Sequence, residues 1–147
     1  MTYPQPFVQD AINQYTLPVQ CNNTLPESAA IVTRFHHIWT PDLRVLDAHG
    51  SELYRWNGYL PPAEFIAQLL AALAHARLRL KQYDEAASLY RDVLRRFPTA
   101  LVAPEANYFL AVTNYRKSDE GSDLLHGWHE LEKTYPTSEW TVKQNFD

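Results

Sequence analysis

One cysteine is the only side chain of this protein that could do thiol redox chemistry. Cys21 is the only cysteine among the 147 residues, so it cannot close a disulfide within the chain. A mixed disulfide formed on it would have no second thiol to resolve it. Because free cysteines are most often buried, we interpret Cys21 as a small residue that is buried or half-buried. No Cys-x-x-Cys motif occurs, and disulfide exchange needs an activated thiolate of that kind.

The histidines give only a weak case for a metal site. His36 and His37 are adjacent in the sequence, so their side chains point to different faces. His126 and His129 lie three residues apart on a predicted helix and could contact one ion. Exposed histidine pairs are common, so we interpret this pair as surface residues and predict no metal and no cofactor. Nothing in the sequence resembles a hydrolase triad, a phosphate loop or a paired-carboxylate site, and we expect a non-catalytic protein.

Composition narrows the possible partners. The chain is 46% hydrophobic and 20% charged with only four glycines, which is typical of a globular protein. Its net charge of -4 does not favour a nucleic-acid partner, and no apolar run is long enough to predict a membrane span. The N-terminus lacks the basic start and apolar stretch of a secretory signal. Together with the lone cysteine, this favours a cytoplasmic protein.

The first sixty residues contain short elements interrupted by proline, glycine and asparagine. "PQPFVQDAINQY" predicts a short helix, "TLPVQC" a short strand, and "LPESAAIVTRFHH" a second helix with Pro26 in its first turn. "DLRVLD" and "ELYRW" alternate in polarity around a turn in which Gly50 is placed to take a positive φ, which predicts a β-hairpin. A long helix follows from Pro62.

The stretch "WTPDLRVLDAHGSELYRWNGYLPPAEFIAQL" resembles the C-terminal two thirds of a thioredoxin fold. The resemblance rests on Thr40–Pro41, a strand ending in Asp47, a glycine turn, a second strand, and then Gly58 before a helix. It implies a cis peptide bond before Pro41. It also implies that Thr40 offers backbone groups to an extended partner chain, so Thr40 and Pro41 are candidate partner-binding residues. The catalytic strand and both cysteines of that family would then lie upstream of Met1.

In a thioredoxin sheet the strand without a counterpart here is central, so we expect an incomplete sheet of about three strands. Buried backbone groups left without partners cost about 1–3 kcal/mol each. The "LPVQC" strand could pair directly with the hairpin, a second subunit could cover the open edge, or the chain could be a shortened copy of a longer gene product. A homodimer is slightly favoured over a monomer.

The second half of the chain contains an internal repeat. "YDEAASLYRDVLRRFPT" (83–99) matches "GSDLLHGWHELEKTYPT" (121–137) at an offset of 38, and the preceding helices match at an offset of 37. Tyr90 corresponds to Trp128, and Val93 corresponds to Leu131. A repeat of this length indicates stacked helix pairs.

The residues of the first copy resemble the tetratricopeptide repeat. They are Leu70, Leu73, Ala74, Tyr83, Ala86, Tyr90 and Pro98. The second copy is degenerate, and longer repeats ending "YPTSEW" are similar to those of bacterial envelope-assembly partners. Because concave faces of such repeats often hold acidic tails, the resemblance makes Arg77, Asn107 and Asn114 candidate partner-binding residues. The alternative is a solvated, modestly basic helix face.

These observations predict an α+β protein. Residues 1–61 form a truncated thioredoxin-like unit, and residues 62–147 form tetratricopeptide-like helical repeats. Because no helix breaker lies between Ala63 and Lys81, the helix 62–81 should belong to both units and join them. We expect a protein-interaction or scaffold module with a protein or peptide partner, of which chaperone-like shielding is one form. The alternative is a fragment of a thiol–disulfide oxidoreductase.

Overall fold

A computed structural model describes residues 1–144 and shows an α+β protein. The helices are α1 Pro6–Tyr15, α2 Ala29–Arg34, α3 Pro62–Arg79, α4 Tyr83–Arg96, α5 Ala103–Ser118, α6 Gly121–Thr134 and α7 Glu139–Lys143, with a short 3-10 turn at Pro26–Ser28. The strands are β1 Asp42–Leu46 and β2 Glu52–Asn57. Within the described part of the chain, no helix has the length and apolar character needed to cross a membrane.

The two strands form the predicted antiparallel hairpin. Leu43 lies opposite Trp56 and Val45 lies opposite Tyr54, so one face of the hairpin carries large apolar and aromatic side chains. That face packs against α3. Gly50 takes a φ of 79° in the turn, as predicted, and glycine adopts this conformation without steric cost.

A third strand is not formed, and this prediction was wrong. Residues 16–22, which include the "TLPVQC" segment, have no regular secondary structure, and the sheet in residues 1–144 is two-stranded. Pro18 cannot donate a ladder hydrogen bond, and the alternating Leu17 and Val19 find no apolar face to cover, since they are 96% and 88% exposed. The helix after this segment, α2, is also shorter than predicted. It ends at Arg34, and none of its residues is buried.

The long helix α3 is the centre of the fold. It runs unbroken from Pro62 to Arg79, two residues short of the predicted end at Lys81, and contacts α1, both strands, α4 and α5. Pro62 and Glu64 suit its first turn because proline needs no donor there and a carboxylate favours the positive end of the helix. One cluster of buried side chains extends from α1 through α3 into α4 and α5, with Leu43, Val45 and Trp56 packed against it. The hairpin and the helix pairs therefore share a hydrophobic core.

The internal repeat in the sequence is also a repeat in backbone conformation. Lys81 and Asp119, at the offset of 38, both take a left-handed conformation, with φ of 61° and 62°. Phe97 and Tyr135, which directly follow α4 and α6, have nearly the same backbone angles: φ −134° and ψ 52° for Phe97, and φ −131° and ψ 57° for Tyr135. The Tyr135 hydroxyl donates to the carbonyl of Pro98, 2.8 Å away, so the second copy is tied to the first.

Helices α5 and α6 approach closely at a glycine that the sequence analysis did not single out. A Cβ atom placed on Gly127 would overlap the Cβ of Ala111 and lie 3.0 Å from its Cα. Neither atom belongs to a flexible side chain that could move aside. The absence of a side chain at Gly127 therefore sets the distance between the two helices.

Candidate functional site

Thr40 and Pro41 lie in the connection between α2 and β1, and the peptide bond between them is cis. The two residues before them are large, apolar and exposed to solvent: Ile38 is 85% exposed and Trp39 is 69% exposed. These two residues, Thr40, Asn23 and His37 line a shallow pocket of about 300 Å³. We call these five residues the Thr40 surface.

A polar network holds the Thr40 surface in place. The Asn23 amide nitrogen donates to Thr40 Oγ1 at 3.1 Å and lies 2.9 Å from His37 Nε2. The other ring nitrogen, Nδ1 of His37, lies 3.3 Å from Asp42 Oδ2. Asn23, which follows the irregular residues 16–22, is thus tied through His37 to Asp42 at the start of β1.

The order hydroxyl, imidazole and carboxylate in this network resembles the order in a nucleophilic triad, but its details do not suit that chemistry. The hydroxyl of Thr40 lies 3.3 Å from His37 Nε2, and the Asn23 amide is the nearer group to that nitrogen. The Asp42 carboxylate is bound through both oxygens by Arg44, which neutralises the charge that would stabilise an imidazolium. The arrangement suits positioning of the loop.

Arg44 joins several groups on this side of the hairpin. It donates to both oxygens of Asp42 at 2.9 Å and 2.8 Å, to the Phe35 carbonyl at 2.9 Å, and to Glu52. Its guanidinium also lies over the Phe35 ring, 4.7 Å from the ring centre. Partial burial raises the pKa of Asp42, but the hydrogen bonds from Arg44 and His37 outweigh it, and the net shift is downward.

An apolar patch includes the residues that directly precede Asn23 in the sequence. Val19, Leu25 and Ile31 line a second shallow pocket of about 400 Å³ together with Cys21. The expectation that Cys21 is buried or half-buried was wrong, because the residue is exposed and its Sγ lies 3.1 Å from Ser28 Oγ. It is exposed because the strand that would have carried it into a sheet is not formed.

Both outer edges of the hairpin are open in the described part of the chain. The sheet contains β1 and β2 alone, and no backbone hydrogen bond joins the outer edge of either strand to another segment of residues 1–144. In an antiparallel pair, alternate residues of each strand direct N–H and C=O groups away from the partner strand. The edge of β1 therefore offers backbone donors and acceptors next to the Thr40 surface, which lies at the start of that strand.

The other predicted site residues lie elsewhere. Arg77 is exposed near the end of α3 and donates to Gln82 Oε1 at 2.8 Å. Asn107 and Asn114 are half-buried on α5, seven residues apart and so on one face of that helix. No hydrogen bond joins these three residues to one another or to Thr40 within residues 1–144. The histidines of α6 likewise belong to no group of three or more metal-ligating side chains in the described residues.

Sequence reasoning missed a half-buried polar cluster between β2, α3 and α5. The Tyr54 hydroxyl donates to Glu105 Oε1 at 3.0 Å and accepts from Gln68 Nε2 at 3.2 Å. Burial and the Glu105 charge raise the pKa of Tyr54 to about 12. On α3, His75 Nδ1 lies 2.9 Å from the Tyr90 hydroxyl, and burial together with the Arg79 charge lowers the pKa of His75 to about 4. The seven-residue spacing of Gln68 and His75 places both on one face of α3, but it does not indicate the pairing with Tyr54 and Glu105.

The chain matches no protein-family model, no curated protein and no solved structure. A functional interpretation therefore starts from the geometry of the Thr40 surface and of the half-buried cluster, with the sequence resemblances as support.

Proposed function

We propose that this chain is a non-catalytic protein-interaction module, in which a thioredoxin-like remnant is joined to tetratricopeptide-like helix pairs. The observation that carries the proposal is the exposure of Ile38 and Trp39 beside the open edge of β1. Large apolar side chains that are exposed together mark interaction sites more often than scattered ones do. Tryptophan in particular is enriched among the residues that dominate binding energy.

The geometry favours an extended protein segment as the partner. An open strand edge binds such a segment through main-chain hydrogen bonds, while pockets beside it select alternate side chains. The β1 edge would supply the hydrogen bonds, and Ile38, Trp39 and the patch around Val19 would supply the apolar contacts. The resemblance to thioredoxins adds the backbone groups of Thr40, next to cis Pro41, as a further contact.

The same surface could serve a second copy of this chain. Open edges favour strand pairing between identical subunits, which would make the protein a homodimer. Gel filtration with light scattering at micromolar concentration distinguishes the two cases, because the chain mass is 17.0 kDa. A dimer that dissociates when Ile38 and Trp39 are replaced by serine would identify the partner as a second copy.

Selection of short random peptides displayed on phage tests the binding function. We expect enriched apolar sequences that bind the wild-type protein and lose binding to a variant carrying Ile38→Ser and Trp39→Ser. Leu101→Ser is the matched control, since Leu101 is also highly exposed but lies between the helix pairs. No enrichment above background, from a protein shown to be monomeric, would contradict the proposal, as would binding that survives the double substitution.

The alternative, a fragment of a thiol–disulfide oxidoreductase, is supported by the thioredoxin resemblance. The one thiol of the chain, Cys21, is exposed and has no second cysteine to complete an exchange. Binding is supported instead by the exposure of Ile38 and Trp39 beside the open edge of β1.

A further inference from the structure

Glu105 is a half-buried carboxylate without a cation bound to it. The Tyr54 hydroxyl donates to it, but no salt bridge within residues 1–144 includes it, and the ion pairs of that region are made by others. The charge of Lys143 acts on Glu105 and offsets part of the rise in its pKa that burial causes. Its ammonium group instead lies over the Trp140 ring at 3.9 Å and 3.4 Å from Glu139 Oε2.

Aromatic rings continue from this carboxylate across the helices. The His75 ring centre lies 5.0 Å from that of Tyr54 and 4.2 Å from that of Phe109, and Phe109 lies 5.3 Å from Trp140. Each of these residues is half-buried, so part of each side chain is reachable from solvent. We call Tyr54, His75, Glu105, Phe109 and Trp140 the Glu105 cluster.

No other member of the cluster can neutralise Glu105. Burial keeps His75 uncharged at neutral pH, because its pKa is lowered to about 4. Tyr54 is a neutral donor under the same conditions. Burial also raises the pKa of Glu105, and the hydrogen bond from Tyr54 and the charge of Lys143 offset only part of that shift. A carboxylate in this setting would be stabilised by an added positive charge.

We propose that the Glu105 cluster binds the guanidinium group of an arginine side chain from a protein partner. A guanidinium pairs with a carboxylate and stacks on aromatic faces, and it is less strongly hydrated than an ammonium group. The position of Lys143 over Trp140 shows that this ring already accepts a cation. The inference rests on the proposed interaction function only in taking the arginine from a protein, and it concerns a surface separate from Ile38 and Trp39.

The polarity of this site is opposite to the one predicted from the sequence. The tetratricopeptide resemblance suggested a basic groove around Arg77, Asn107 and Asn114 for acidic tails. The Glu105 cluster is aromatic and acidic, so charge complementarity favours a basic segment.

Titration with N-acetyl-arginine methylamide, followed by NMR of the Trp140 indole N–H, tests the proposal on the wild-type protein. The citrulline analogue is the matched probe, since it has the same shape without the charge. We expect saturable shifts with the arginine probe and binding of the citrulline probe that is weaker by roughly tenfold, because a hydrogen bond to a charged group is the stronger kind. Glu105→Gln should abolish the difference, whereas Glu85→Gln on the exposed surface of α4 should preserve it.

Equal shifts with both probes, or no saturable shift with the arginine probe at tens of millimolar, would overturn the proposal even if Glu105→Gln failed to fold. A difference between the probes that persists in Glu105→Gln would also overturn it. The peptide selection on Ile38 and Trp39 does not involve this cluster, so failure of either experiment leaves the other informative.

Discussion

Replacing Gly127 by alanine tests the packing of the helix pairs most sharply. Two opposing effects act at this position. Alanine is favoured over glycine in a helix interior by about 1 kcal/mol. Against this, the new Cβ would overlap the Cβ of Ala111 and crowd its Cα, and overpacking of that kind costs about 1–3 kcal/mol or more.

The cost of the overlap should exceed the gain in helix propensity, because the new Cβ meets the Cβ and the backbone Cα of Ala111, which cannot rotate away. Helix α6 would have to move off α5, which would disturb the buried side chains Trp128 and Leu131. We expect a net loss of about 1–2 kcal/mol in the free energy of unfolding, which for a chain of this size lowers Tm by roughly 3–6 °C.

Urea denaturation followed by circular dichroism measures this loss. Gly121→Ala is the control, since Gly121 lies at the start of the same helix with nothing within 4 Å of an added Cβ, and it should change stability by less than about 0.5 kcal/mol. Adding Ala111→Gly to Gly127→Ala should recover part of the loss. A Gly127→Ala protein as stable as the wild type would refute the close approach of α5 and α6.

Three further predictions concern the hairpin, the half-buried His75 and the thiol of Cys21. Arg44→Ala leaves the Asp42 carboxylate with His37 as its remaining side-chain partner and should cost about 2–4 kcal/mol in urea unfolding. The exposed Arg55→Ala should cost less than about 0.5 kcal/mol, and equal losses would contradict the stabilising role of Arg44. The pKa of His75 is about 4 in the fold against 6.5 for the free side chain, so the unfolded chain gains a proton first as pH falls. Wild type should therefore lose roughly 1–2 kcal/mol relative to His75→Phe between pH 7 and pH 4, after allowance for partial exposure, and parallel stability curves would contradict this. In an insulin reduction assay the wild type should be no more active than Cys21→Ser, and activity above that control would revive the redox alternative.

Local patterns were enough to predict the hairpin, the long helix and the repeat. The alternation on either side of Gly50 defines the hairpin, and the run from Pro62 to Arg79 contains no helix breaker. The matched positions Tyr90 and Trp128 are both buried as their helices pack. In each of these cases the decisive information lies within one element or between two copies of it.

The missing third strand, the exposure of Cys21 and the Glu105 cluster depend on contacts between segments that are far apart in the sequence. "TLPVQC" has the composition of a strand, but a strand needs a neighbour, and residues 1–144 provide none for it. Cys21 is exposed for the same reason. The Glu105 cluster joins residues 51 positions apart through the hydrogen bond from Tyr54, and periodicity along one helix carries no information about such a pairing.

Hydrogen–deuterium exchange with a selected peptide bound tests the interaction function most directly. If the peptide adds a strand at the open edge, exchange should slow at the outward-facing amides of Asp42–Leu46 and in the loop around Trp39. Exchange in α4 and α6 should stay unchanged. Protection confined to the helix pairs, or no protection of β1 at saturating peptide, would contradict the account.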